Sequence, residues 1–287
     1  MNHYLSRMPN FTFNEKKHEY TLDGVEMTGV TSVLGVVGDT GGLQQWYANL
    51  AAADAFLNGP IPGFKEKMEE LVAKDPLKKL STPVAKELDA LFPVWKTART
   101  KANKTAHQAA KIGTEAHKLC EEYELGSREM SGTEEAIRRA TAYTKWFEQN
   151  IEKTLFVEKP LFSKEHFIGG TPDGGFLTKD GKYLINDKKF KGSLFDNKPF
   201  WQQAEYRKML EEMSQDTETH ICLEWESGEV EEYANPQEYL KSLGAVTWDG
   251  CVAILVKEDG TVEPHYRYAH EEDLKVFESA LYIYRKL

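Results

Sequence analysis

No stretch of this 287-residue chain approaches the roughly 20 consecutive apolar residues that a membrane-spanning helix needs, so no membrane partner is expected. The opening residues, Met1 to Arg7, hold no apolar core of a signal peptide. Cysteine is scarce: Cys120, Cys222 and Cys251 are scattered, odd in number and form no C-x-x-C pair. That argues against a structural zinc site, and an iron–sulfur cluster, which wants four thiolates, cannot be built. A reducing cytoplasm is the expected compartment. Net positive charge is also missing. With 36 Lys and Arg against 46 Asp and Glu, the chain carries −10, which argues against a general nucleic-acid coat protein. Internal repeats and low-complexity linkers are absent, so the length bounds one large domain or two small ones.

What is present is a globular composition with uneven charge. Hydrophobic residues make up 40% and aromatics 11%, enough for a sizeable core. Between residues 96 and 118 lie six bases (Lys96, Arg99, Lys101, Lys104, Lys111, Lys118) and one acid, Glu115. Between 202 and 232 lie ten acids and two bases. An acidic protein can still grip DNA through a local basic face, helped by bound cations.

Hydrophobic periodicity places the elements. Residues 11–37 alternate, and Asp23-Gly24 is a hairpin turn, so short strands are expected at 11–14, 19–22 and 25–27. Helices are expected at 43–57, 64–74 and 83–126, broken near Pro83 and Pro93. Strands are expected at 154–163, 167–178, 183–190, 220–225, 251–256 and 262–268, with helices from 197 to about 213 and from 271 to 285. Small residues Ala102, Ala106, Ala109, Gly113, Ala116 and Cys120 make one stripe of the long helix and suit close packing on a sheet. His117 lies beside that stripe.

The informative stretch runs from Gly169 to Lys189. It reads Gly-Gly-Thr-Pro172-Asp173, thirteen residues, then Asp187-x-Lys189. Asp187 interrupts an apolar strand, where an ionised carboxylate needs a partner. Lys189, two residues on, shares its face. Two carboxylates and an ammonium can hold a divalent cation and a water near a phosphate. The bland alternatives are a turn aspartate at 173 and a salt-bridged strand lysine at 189. Gln202 and Tyr206, four apart on a helix, share a face; Gln203 offers a second register. Glu158, on the strand before the motif, is a possible accessory acid or a solvent-facing one.

These motifs, with Gly113-Thr-Glu-Ala-His117 upstream and Gln202-Gln-Ala-Glu-Tyr206 downstream, resemble the PD-(D/E)XK nuclease superfamily in its RecB-type branch of phage and mitochondrial exonucleases. The phrase His18-Glu-Tyr-Thr-Leu-Asp-Gly24 with Val30-Thr-Ser-Val-Leu34 resembles the opening of phage members. The resemblance implies an α/β, restriction-endonuclease-like core over 96–287, a mixed sheet flanked by helices. A hairpin and helical block at 1–95 would pack on it within one domain. It implies a metal-dependent DNA exonuclease acting in recombination, in a host cytoplasm, with magnesium or manganese as cofactor. His117, Asp173, Asp187 and the carbonyl of Lys188 would hold the metal, and the imidazole favours manganese. Asp173, Asp187 and Lys189 would be catalytic. Gln202 and Tyr206 would hold the DNA strand, and Lys101, Lys104, Lys111 and Lys191 would track its backbone. A single-strand annealing or binding protein is an implied companion. An endonuclease on the same scaffold, or a DNA-binding protein without chemistry, are the rivals.

Parity yields a geometric expectation. Asp173 and Asp187 face one metal only if they share a face of neighbouring antiparallel strands. A two-residue turn at Asp180-Gly181 would set Asp173 opposite Lys188. A three-residue turn, Lys179-Asp180-Gly181 with Gly181 at positive φ, sets it opposite Asp187. A bulge near Gly174-Gly175 would be the other remedy.

Overall fold

Phe11, Phe13, Tyr20 and Leu22 alternate with polar residues and bury one side of a hairpin made of β1 (Asn10–Asn14) and β2 (Glu19–Leu22). The Asp23-Gly24 turn continues it into β3 (Val25–Glu26). The computed structural model describes residues 10–37, 90–194, 197–244 and 247–287, with isolated positions between 62 and 87. The expected helix at 43–57 and most of that at 64–74 lie outside the described residues. Contacts divide the chain into two compact units, Met1–Gly38 with Gly113–Leu287, and Asp39–Ile112. Among the described residues no helix is long and apolar enough to cross a membrane.

The architecture is mixed α/β. After β4 (Thr28–Gly29) the expected alternation stops. Val30, Val33 and Leu34 lie three and four apart, and the chain makes a short helix, α1 (Val30–Leu34), that buries all three. Helical spacing of the apolar residues wins there over β-branched preference. Helix α2 (Pro93–Glu124) begins at its proline, where a missing N–H costs nothing. Helix α3 (Glu134–Asn150), which the periodicity reading left unassigned, opens on Thr133. The Thr133 hydroxyl accepts from the Ala136 N–H, with Glu134 and Glu135 in the first turn.

Both long expected strands around the motif are split. The first becomes β5 (Ile151–Val157) and β6 (Leu161–Ser163), interrupted by Glu158 at φ 45° and by Pro160. The second becomes β7 (Ile168–Gly170) and β8 (Gly174–Thr178), interrupted by Thr171-Pro172-Asp173. Proline has no ladder donor, and each break sends the two halves to different sheets. There follow β9 (Tyr183–Lys189), α4 (Lys198–Gln215), β10 (His220–Glu224), β11 (Val230–Tyr233), α5 (Pro236–Ser242), β12 (Gly250–Val256), β13 (Val262–Arg267) and α6 (Glu271–Tyr284). Strand β11 and helix α5 are additions to the expected set.

One sheet runs β13-β12-β9-β8-β5 and is mixed, with β12 and β9 parallel and the other pairs antiparallel. A second runs β11-β10-β1-β2-β3, and a third β4-β7-β6. In the first sheet β9 is central, and five of its residues, Leu184 to Lys188, are buried. Helix α4 covers one face. Helix α3 covers the other, where Phe147 meets Phe176 edge to face.

The turn between β8 and β9 has the three-residue form. Gly174 faces Asn186, Gly175 faces Ile185 and Leu177 faces Tyr183. Gly181 takes φ 84°, and the Thr178 N–H donates to the Lys182 carbonyl. Extending that register by one pair sets Asp173 opposite Asp187.

The glycines before Asp173 serve close packing. A Cβ on Gly170 would lie 2.5 Å from a ring carbon of Tyr206 and 2.8 Å from a methyl of Val30. Neither neighbour has room to retreat, since both are buried. Gly170→Ala is therefore expected to destabilise by about 1–3 kcal/mol, the usual range for overpacking. A urea midpoint unchanged from wild type would show that the contact can relax.

Candidate functional site

Asp173, Asp187, Lys189, Gln202 and Tyr206 line one cleft of about 680 Å³, together with Tyr20, Glu26, Gly169 and Gly170. The Asp173 carboxylate accepts the Lys188 N–H at 2.7 Å and meets His117 Nε2 at 2.9 Å. The other imidazole nitrogen, Nδ1, lies 2.7 Å from Glu121 Oε1. Burial opposes the imidazolium, but the carboxylates of Asp173 and Glu121 outweigh it and lift His117 to about 10. Burial likewise opposes the Asp173 anion, yet His117, Lys189 and Lys188 hold that carboxyl well below the ordinary range.

Asp187 behaves differently. Its Oδ1 accepts from Lys189 Nζ at 2.6 Å. Its Oδ2 is buried and has no hydrogen-bond partner among the described residues. Burial is the larger influence here, and it pushes Asp187 up to about 6 despite Lys189. The site thus sets two opposed aspartates side by side with their ionisation driven in opposite directions.

A second group adjoins the first through His117. His117, Glu121 and Glu158 each offer a ligand atom, all within 4.8 Å of one another. Burial and the neighbouring Glu121 carboxylate push Glu158 up to about 7. Burial also acts against the Glu121 anion, but His117 lowers its pKa overall. Glu121 was not among the sequence candidates. Its only sequence signal is its position four residues after His117 on one helix face.

Lys188 shows the alternation of the strand. Its backbone supplies the N–H that holds Asp173, while its side chain turns to the α3 side. There its ammonium lies 3.0 Å from Glu124 Oε1, with both side chains fully buried. The Tyr143 hydroxyl donates to the same carboxylate oxygen at 2.5 Å. Burial works against both charges and pushes Glu124 up. At Lys188 the carboxylate outweighs burial and holds the ammonium well above the ordinary range.

Gln202 donates to the Tyr206 hydroxyl at 2.9 Å, and that hydroxyl donates to the Thr171 carbonyl at 3.2 Å. The pair four apart is therefore the one that faces the cleft; Gln203 is fully buried. Tyr206 is itself buried and braces the turn that carries Asp173. Tyr20 joins the same turn through Thr171 Oγ1 at 2.7 Å. Lys191 lines a smaller groove of about 280 Å³ with Lys198, and that groove shares Lys189, Gln202 and Thr31 with the main cleft. Lys111 is exposed on α2, whereas the side chains of Lys101 and Lys104 lie outside the described residues.

Among the described residues, the group whose ligand atoms come close enough to share a cation is His117, Glu121 and Glu158; Asp187 is not part of it, though its buried Oδ2 has no donor among those residues. A buried carboxylate oxygen without a donor costs free energy that an oxygen-preferring cation would offset. Asp173 meets that group through His117 Nε2 at 2.9 Å. The chain matches no protein-family model and no curated protein.

Proposed function

We propose that this protein is a divalent-metal-dependent DNA nuclease of the PD-(D/E)XK type, working as an exonuclease of RecB kind. The observation that carries the reading is the register of β8 and β9. Extended by one pair it sets Asp173 opposite Asp187, with Lys189 on the same face and one buried Asp187 oxygen without a donor among the described residues. Asp173, Asp187 and His117 would hold magnesium or manganese. Such a cation polarises a phosphodiester and lowers the pKa of a bound water. Lys189 Nζ, now on Asp187 Oδ1, would orient the attacking water and hold the developing negative charge. Gln202 would steady the strand from α4. The lysine-lined groove beside the cleft gives the flanking phosphates a cationic wall.

End-labelled linear DNA and closed circular DNA, each with magnesium, manganese or EDTA, test this. Release of nucleotides from linear DNA alone, with either metal and not with EDTA, is the expected result. Cutting of the circle would identify an endonuclease. Binding without cleavage by a well-folded protein would leave a DNA-binding protein. His117→Ala is expected to lower activity and to shift preference from manganese toward magnesium, because only oxygen ligands remain. Equal calorimetric affinities for both metals before and after the change would remove His117 from the ligand set.

A further inference from the structure

We propose that the face formed by β13 and α3, on the opposite side of the sheet from Asp187, binds the unpaired bases of a single-stranded nucleic acid. The choice of ligand rests on the nuclease reading of the cleft. Tyr266 and Tyr268 present parallel rings, 2° between planes and 6.4 Å between centroids. Their relative exposures are 42% and 47%, exceeded among the described aromatic residues by Tyr282 alone at 67%. Arg267 between them points the other way and pairs with Asp273 at 2.7 Å, so the two tyrosines are left on one side by strand alternation. The Lys182 ammonium lies 4.4 Å from the Tyr268 ring centroid.

Charge and shape extend this platform along the strand. Val262, on the same side of β13 as Tyr266, lines a cleft of about 560 Å³ with Arg138, Lys145 and Trp146 of α3. The regular ladder places that cleft about 13 Å from Tyr266 along the strand. Three anions lie beside these cations: Asp259 accepts from the Thr261 N–H, Asp180 accepts from the Thr178 hydroxyl and pairs with Lys182, and the exposed Glu258 carboxylate lies 3.5 Å from Arg139. Three cations and three rings on one face, in a chain of net charge −10, suit a ligand with flat bases and a phosphate backbone. Stacking on tyrosine tolerates any base, so the surface would hold a strand without reading it.

The test is fluorescence anisotropy of the full-length protein with a labelled oligothymidylate of about 20 nucleotides in EDTA, where binding is read without cleavage. Tyr266→Ala/Tyr268→Ala is expected to weaken binding by at least about tenfold. Tyr266→Phe/Tyr268→Phe should restore it, because the ring and not the hydroxyl stacks. Lys145→Gln should flatten the salt dependence. Wild-type affinity in the alanine pair, or a phenylalanine pair as weak as the alanine pair, overturns the proposal. The two readings fail separately. A protein that binds the strand through these tyrosines but never cleaves DNA sinks the nuclease and keeps this surface. One that cleaves DNA while the alanine pair binds normally does the reverse.

Discussion

Asp187→Asn should give a protein that is folded, at least as stable as wild type, and unable to cleave DNA. The loss of cleavage is expected to reach about 10³-fold, the upper end of what removal of one electrostatic partner costs. The stability follows from burial. In metal-free protein the Asp187 carboxyl titrates near 6 instead of the ordinary 3.8, so the folded state holds the proton more tightly than the unfolded state does. Stability linked to that group is full at low pH and is lost as pH rises from 3.8 to about 6. The amide keeps an oxygen for Lys189 and cannot ionise, so it escapes that loss. Urea unfolding in EDTA should show the variant gaining on wild type across that window and holding its lead above it. Manganese should then stabilise wild type more than the variant. A variant less stable than wild type at neutral pH would mean that burial does not strain Asp187.

The largest stability loss is expected on the other side of β9. Glu124→Ala leaves the Lys188 ammonium fully buried beside a tyrosine hydroxyl, without its contacting carboxylate and with only the more distant Asp173 and Glu121 charges to favour it. Breaking such a pair costs about 3–5 kcal/mol. Against a total stability of about 5–15 kcal/mol, that is a third or more of the total over most of the range. Replacing the whole network, Lys188→Met with Glu124→Leu and Tyr143→Phe, should recover most of the loss, since apolar residues of similar volume replace a buried pair without desolvation cost. Chemical denaturation of the single and triple variants decides the matter. A triple variant as weak as Glu124→Ala would mean that the pair supplies net stability and not merely mutual compensation. The same residue ties the buried pair to the candidate site, because the Lys188 N–H holds the Asp173 carboxylate while its side chain is anchored below.

The candidate site was legible where its logic is local. The spacing of Asp173, Asp187 and Lys189, with a glycine at 181, contains the turn length and hence the shared face. Gln202 and Tyr206 could be paired from helical spacing alone. Glu121 could not be singled out, because its meaning depends on Glu158, 37 positions away, whose left-handed backbone brings it to His117. The inward turn of Lys188 was hidden for a similar reason. Its partner, Glu124, stands 64 positions away on α2 in a sequence crowded with acids. The strand breaks at 158–160 and 171–173 carried a visible signal in Pro160 and Pro172, and the apolar runs on either side masked it. At Val30 the reverse happened: alternation upstream suggested more strand, while three residues at helical spacing formed α1.

The pairing of β1 with β10 also orders events in time. Asn10 to Asn14 lie beside His220 to Glu224 in parallel, 210 residues downstream. On a ribosome adding about 5–20 residues per second, the early hairpin waits about 10 to 40 s for that neighbour to be made. For the first part of that interval Phe11 lacks its stacking partner Phe162, and throughout it one edge of β1 stays open. The segment made early is thus among the last to be completed, its edge staying open until after β8 and β9 have been made. Expression at lower temperature, or with a holding chaperone at hand, should raise the soluble yield for this reason and not through any change in the finished fold.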